Sequence, residues 1–113
     1  MHELSLCQSA LELIEQQARA HHARRVTAVW LELGALSCIE ESALRFGFAS
    51  VCRSTLAEGC RLELTIKPAQ AWCWQCAKAV NIERHAEGCP ICGGYMLQVQ
   101  DGDGLQLKQI EVE

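Results

Sequence analysis

The chain lacks any apolar run long enough to span a bilayer, and no basic stretch followed by an apolar one stands at its amino end. It also lacks a long run of charge of either sign. Lys and Arg number 10, Asp and Glu 14, and the net charge of −4 leaves no basic face for a phosphate backbone or an anionic membrane. These absences leave no candidate transmembrane helix, argue mildly against nucleic acid or an anionic membrane as main partner, and make a cytoplasmic protein the default. With 113 residues, half of them apolar, the chain is one small globular unit or a core with an appendage, near the lower limit for a self-sufficient interior. Eight cysteines would suggest a disulfide framework in a secreted chain; here they read as metal ligands or buried thiols.

Apolar residues at Leu4, Cys7, Leu11, Ile14 and Ala18 recur at steps of three and four, which predicts an amphipathic helix from about Leu4 to His21. His21 and His22 close it as a polar end suited to the helix dipole. RVTAVWLELG reads as a strand largely buried on both faces. Ser37, with Glu40 three residues on, has capping-box spacing ahead of a second helix carrying Leu44, Phe48 and Val51. CRLELTIK alternates as a half-buried strand that Pro68 ends. LQLKQIEVE resumes a strand whose parity shifts between Leu107 and Ile110. The expected fold is α+β: two helices on a small three-stranded mixed sheet, with an inserted zinc-ribbon-like domain. Residues 1–68 and 102–113 form the first, discontinuous domain, and 69–101 the second. The returning last strand leaves a domain-swapped homodimer open.

In the insertion, Cys73 and Cys76 form one C-x-x-C pair, Cys89 and Cys92 another. Such a turn lets two thiolates approach one ion, and two turns complete a tetrahedral shell. Pro90 stiffens the second turn and Gly93–Gly94 permit the left-handed exit; CWQCA lacks that glycine. All four positions are sulfur, with none open to water, so a structural zinc site is favoured over a catalytic one. A thioredoxin-like pair would not explain the second C-x-x-C, while iron in a rubredoxin-like site has the same geometry. The insertion is too short for a core of its own, so its folding should depend on the metal. His85 reads as a loop residue, Trp72 and Trp74 as covers over the first turn, and Cys7, Cys38, Cys52 and Cys60 as small buried hydrophobes.

The first residues are MHEL. A free amine on Met1, the amide nitrogen and imidazole of His2 and the amide nitrogen of Glu3 can surround a divalent ion in fused chelate rings. Nitrogen donors in a plane suit Ni(II) or Cu(II) rather than Zn(II). Such a set is local and exposed, as hand-over of an ion requires.

MHELSLCQSALELIEQQA, RVTAVWLELGALSCIEESALRFGF, and CWQC with CPICGG together resemble the HypA/HybF family of hydrogenase maturation nickel chaperones, closest to its HybF branch. The resemblance runs essentially the whole chain. It implies a non-catalytic metallochaperone that delivers Ni(II) to the large subunit of [NiFe]-hydrogenase with a HypB-type GTPase; some members also support urease. It further implies His2 as essential nickel ligand, helped by the Met1 amine and the backbone of His2 and Glu3. Cys73, Cys76, Cys89 and Cys92 would hold structural zinc. Glu3 and Glu40 match acidic positions near the nickel end. Ala77 and Gly93 stand where some relatives carry a histidine that changes the zinc shell. The rival reading is a zinc-ribbon adaptor or nucleic-acid-binding module, which would want a basic face.

Overall fold

The apolar spacing at the amino end becomes helix α1 (Glu3–Ala20) in the computed structural model, which describes residues 3–113. Leu6, Cys7, Ala10, Ile14 and Ala18 are its buried residues, the stripe that a period of 3.6 turns to one side. The helix packs on α2 (Glu41–Val51) and on the last strand, β6 (Leu105–Val112). At the helix–helix contact the Cys7 thiol donates to the Leu44 carbonyl over 3.6 Å, and a Cβ on Gly47 would meet that sulfur at 3.4 Å. Small side chains therefore set how closely the helices approach.

Strand β1 (Val26–Gly34) is central in a sheet of order β2-β1-β6, with β2 spanning Arg61–Lys67. No residue of β1 is exposed, as a central strand demands. Trp30 is half-buried, with the Arg61 guanidinium carbon 5.4 Å from its ring centroid, a cation–π contact across adjacent strands. Thr27 Oγ1 donates to Glu111 O, and Arg25 and Glu113 are joined through Glu113 N and Arg25 O, so β6 runs antiparallel to β1. Leu105, Leu107 and Ile110 are its half-buried apolar positions, which reproduces the parity change in the sequence.

Between β1 and α2 the sequence expectation needs correction. Residues Ala35–Ser37 form a 3-10 turn, and Cys38 follows in the left-handed region with φ 57°. The N-cap of α2 is Glu40, not Ser37: its carboxylate accepts from the N–H groups of Ser42 and Ala43. Ser37 Oγ instead accepts from Gly104 N–H at 3.0 Å. The left-handed Cys38 breaks the continuity that a cap at Ser37 would need.

The chain divides into two compact units. The first comprises the amino-terminal segment to Glu32, Ile39–Thr65 and Leu105–Glu113; the second comprises Leu33–Cys38 and Ile66–Gly104. Residues 33–38, 66–68 and 102–104, counted above with the first domain, group with the second; Leu36 is buried with Ala69, Ala71, Cys73, Val80, Ile82 and Cys89. Gly34 and Gly102 make this possible. A Cβ on Gly34 would lie 2.3 Å from Gly102 O, and one on Gly102 would lie 2.5 Å from Ala69 Cβ.

The second unit holds a separate sheet of order β4-β3-β5, built from Ala69–Cys73 (β3), Lys78–Ile82 (β4) and Leu97–Val99 (β5). Both neighbours run antiparallel to β3, with Ala71 opposite Val80 on one side and Val99 on the other. Strand parity sends Ala69, Ala71 and Cys73 into the core. Among the described residues no helix is long and apolar enough to cross a membrane.

Candidate metal centre

The two C-x-x-C segments fold into matching turns. In the first, Cys76 N–H points to Cys73 Sγ at 3.4 Å, Ala77 N–H closes on Cys73 O at 2.7 Å, and Ala77 has φ 56°. In the second, Ile91 N–H points to Cys89 Sγ at 3.4 Å, Gly93 N–H closes on Cys89 O at 2.8 Å, and Gly93 has φ 73°. Each turn thus needs a left-handed residue directly after its second cysteine. Gly93 supplies it without strain, whereas Ala77 carries a Cβ into a region that disfavours one. The end of β3 fixes Cys73, and Trp74 N–H donates to Met96 O at 3.0 Å, holding the first turn in place.

These turns bring together the four sequence-predicted sulfurs. Cys73 and Cys92 are 3.7 Å apart, Cys76 and Cys89 3.9 Å, and all four sulfurs lie within 4.8 Å of one another. Metal–sulfur bonds of about 2.3 Å in a tetrahedron give sulfur–sulfur edges of about 3.8 Å, whereas a disulfide needs about 2.0 Å. All four are free thiols, so the cluster has the dimensions of an ion site and not of two cross-links. The donor set is wholly thiolate and fits Zn(II).

Electrostatics within the cluster are divided. The backbone N–H groups of Cys92 and Ile91 hold the Cys89 thiol down at about 6. Cys76 is pushed up to about 12, first by its hydrogen bond with Cys92 and then by burial and the other two sulfurs. Four thiols this close cannot all ionise together without a cation to neutralise them. Cys73 and Cys89 are buried, Cys76 is half-buried and Cys92 is exposed.

Other sequence-predicted residues fall elsewhere. Met1 and His2 lie outside the described residues, and Glu3 opens α1. Glu40 is engaged as a cap; the Ser42 hydroxyl, followed by the backbone N–H of Ser42, holds its carboxyl below the usual range. His21 and His22 are exposed just past α1. His85 is a loop residue, its Nε2 3.1 Å from Leu36 O.

Two readings are corrected. Trp72 and Trp74 do not cover the first turn, because β3 parity puts Trp72 opposite Cys73. The two rings meet edge to face at 6.2 Å, with Trp74 60% exposed. Of the four scattered cysteines only Cys7 and Cys52 are buried; Cys60 is half-buried and Cys38 exposed. Sequence reasoning also missed Gln75, whose Oε1 reaches Cys92 Sγ at 3.4 Å. No spacing rule singles out the third residue of a C-x-x-C turn.

Residues 1–112 match the family described as HypA, hydrogenase/urease nickel incorporation, metallochaperone. Hydrogenase maturation factor HybF of Escherichia coli O6:H1 is 61% identical over 113 residues, covering 100% of both chains. HybF of Proteus vulgaris is 50% identical, again over 100% of both. In fold, the chain superposes on the solution structure of the Ni metallochaperone HypA from Helicobacter pylori with a TM-score of 0.71, covering 99% of this chain and 97% of that one at 20% identity.

Proposed function

This chain belongs to the HypA/HybF family of non-catalytic nickel metallochaperones for hydrogenase maturation, and from that premise we propose that it binds Ni(II) at its amino end and passes the ion to the large subunit of a [NiFe]-hydrogenase. The observation that carries this reading is the family match from residue 1 to 112 on a chain that opens Met-His-Glu. The nickel donors are the Met1 amine, the backbone and imidazole nitrogens of His2, and the backbone of Glu3. Glu3 is the first residue of α1, where backbone N–H groups have no intrahelical acceptor, so its nitrogen is not committed to the helix. Nitrogen donors in a plane fit Ni(II). Nickel is cargo here: thiolates of the acceptor displace the terminal nitrogens, aided by a HypB-type GTPase. Binding requires the amine and imidazole to lose protons, so affinity falls as pH drops.

Cys73, Cys76, Cys89 and Cys92 hold Zn(II), which supplies a cross-link between the two turns and no open position for chemistry. The four sulfurs, two backbone N–H···S contacts and the absence of any other donor type in the cluster support this role.

The test is a nickel titration of the untagged protein with its native amino end, beside His2→Ala, with zinc measured in both. The expected result is one planar, low-spin Ni(II) per chain, lost in the variant while zinc is retained. Equal nickel binding by both proteins, or by neither, would overturn the terminal site and favour a zinc-ribbon adaptor. A coloured protein with reversible one-electron chemistry would overturn the zinc assignment in favour of iron.

A further inference from the structure

Two cysteines that the nickel and zinc sites leave unused line one cleft at the end of α2. Cys52 is the C-cap of that helix, its N–H donating to Phe48 O at 3.1 Å, and its side chain is 2% exposed. The chain then doubles back through two tight turns. Thr55 donates to Cys52 O through both its N–H (3.1 Å) and its hydroxyl (2.6 Å). Glu58 N–H reaches Thr55 O, Cys60 N–H reaches Ala57 O, each at 3.1 Å, and Gly59 turns the chain at φ 75°. This bracing returns half-buried Cys60 to the wall of the same cleft as Cys52, a space of about 230 Å³ also lined by Phe48, Arg45 and Gly59.

We propose that Cys52 and Cys60 form an oxidant-reactive dithiol site, in which Cys60 is the attacking sulfur and Cys52 the resolving one, converted by a peroxide into an intramolecular disulfide. The division of roles follows from exposure: Cys60 is reachable from the cleft, whereas Cys52 is enclosed. The two residues line the same cleft, and their electrostatics are polarised in the same sense. The hydrogen bond from Cys52 lowers the Cys60 thiol, while that bond together with burial raises Cys52. A thiolate paired with a nearby protonated thiol is the arrangement of a nucleophile with its resolving partner.

The chemistry balances with hydrogen peroxide as the named oxidant. The Cys60 thiolate attacks one peroxide oxygen; the S–O bond forms, the O–O bond breaks, and the departing oxygen leaves as water after taking a proton. Cys52 sulfur then attacks the Cys60 sulfenic sulfur, forming the S–S bond and expelling the hydroxyl as a second water with the Cys52 proton. Both sulfurs are oxidised by one electron each, and the peroxide is reduced by two. Arg45, on the same cleft, binds Glu41 at 3.0 Å and Leu62 O at 2.9 Å through its guanidinium.

The sequence makes the product easy to read. Arg45, Arg53 and Arg61 bracket the two cysteines, so trypsin separates Cys52 and Cys60 onto adjacent peptides, 46–53 and 54–61, that stay together only through a disulfide. The experiment treats the full-length, zinc-loaded protein with one equivalent of hydrogen peroxide, alkylates remaining thiols, digests, and weighs the peptides. The expected product is the linked pair, formed before zinc is lost and before Cys38 joins two chains. In Cys52→Ala, Cys60 should stop at a sulfenic acid that dimedone traps. In Cys60→Ser, oxidation of Cys52 should slow by about tenfold or more. The wild-type measurement needs no variant to fold. Recovery of both peptides separately alkylated while Cys38 or the zinc thiols oxidise would overturn the proposal, as would dimedone labelling of Cys52 in place of Cys60.

Discussion

The side-chain oxygen of Gln75 lies 3.4 Å from Sγ of Cys92, the one exposed sulfur of the cluster. Gly94 makes room for it, since a Cβ there would stand 1.8 Å from that oxygen. A thiol can donate to an amide oxygen, but a metal-bound thiolate only accepts, so in the loaded site the amide turns its N–H to the sulfur. Gln75→Glu replaces that donor with a second negative charge. Zinc affinity, read by competition with a chromophoric chelator, should fall by about tenfold or more, with a smaller loss in Gln75→Ala. Wild-type affinity in both variants would show that Gln75 merely lies across the sulfur.

Removing the metal should unfold the second unit selectively. Its core consists of Leu36, three strand residues of β3, Val80, Ile82 and Cys89, so the proposed zinc ligands Cys73 and Cys89 are themselves core residues. Stripped of an ion, the cluster must keep most of its thiols protonated, and the cross-link between the turns is gone. Hydrogen exchange on the chelator-treated protein should lose protection across Ala69–Cys73 and Lys78–Ile82, while the buried stripe of α1 keeps it. Undiminished protection in those strands would mean that their packing suffices alone.

Glu40 offers a test by pH. Its carboxyl is held low by the Ser42 hydroxyl and the N–H groups of Ser42 and Ala43. A depressed folded-state value means that the ionised cap stabilises above the ordinary glutamate range, near pH 4.3, and that this contribution is lost as pH falls through the folded value. Glu40→Ala should therefore melt below wild type at neutral pH, and the difference should close in acid. A gap that persists unchanged in acid would locate the effect in something other than the charge.

The parts legible in the sequence were those carried by long periodic segments. The stripe Cys7–Ile14–Ala18 and the alternation of Arg61–Lys67 became helix and strand because the helix buries its apolar stripe and the strand half-buries Leu62 and Leu64, with Ile66 left exposed. The cysteine spacing likewise identified the four sulfurs that converge, since two short turns leave the thiols little freedom. The strands of the second unit were not legible. Ala69, Ala71 and Cys73 alternate correctly, but small side chains give little hydrophobic contrast, and β5 has only three residues. The cap of α2 was misplaced because Ser37 and Glu40 satisfy a local pattern, whereas a left-handed Cys38 and the tertiary bond from Gly104 decide the outcome. The placement of Cys52 and Cys60 on one cleft depends on two consecutive turns that no periodicity announces.

The two cysteine turns allow a reciprocal experiment. Ala77 and Gly93 occupy equivalent positions, with φ 56° and 73°, yet only one is glycine. For an L-residue with a Cβ the left-handed region costs about 1–2 kcal/mol, partly offset by the smaller entropy that alanine loses on folding. Nothing lies within 4 Å of a Cβ built on Gly93, so Gly93→Ala changes backbone preference without a clash. It should destabilise the zinc-loaded second unit by about 1 kcal/mol, and Ala77→Gly should stabilise it by a similar amount. Combined, the two changes should nearly cancel, because each acts through its own residue's backbone and not through shared contacts. Urea unfolding of the zinc-loaded protein, followed by Trp72 and Trp74 fluorescence, measures all three. Destabilisation by Ala77→Gly would show that the alanine methyl contributes packing that outweighs its backbone strain.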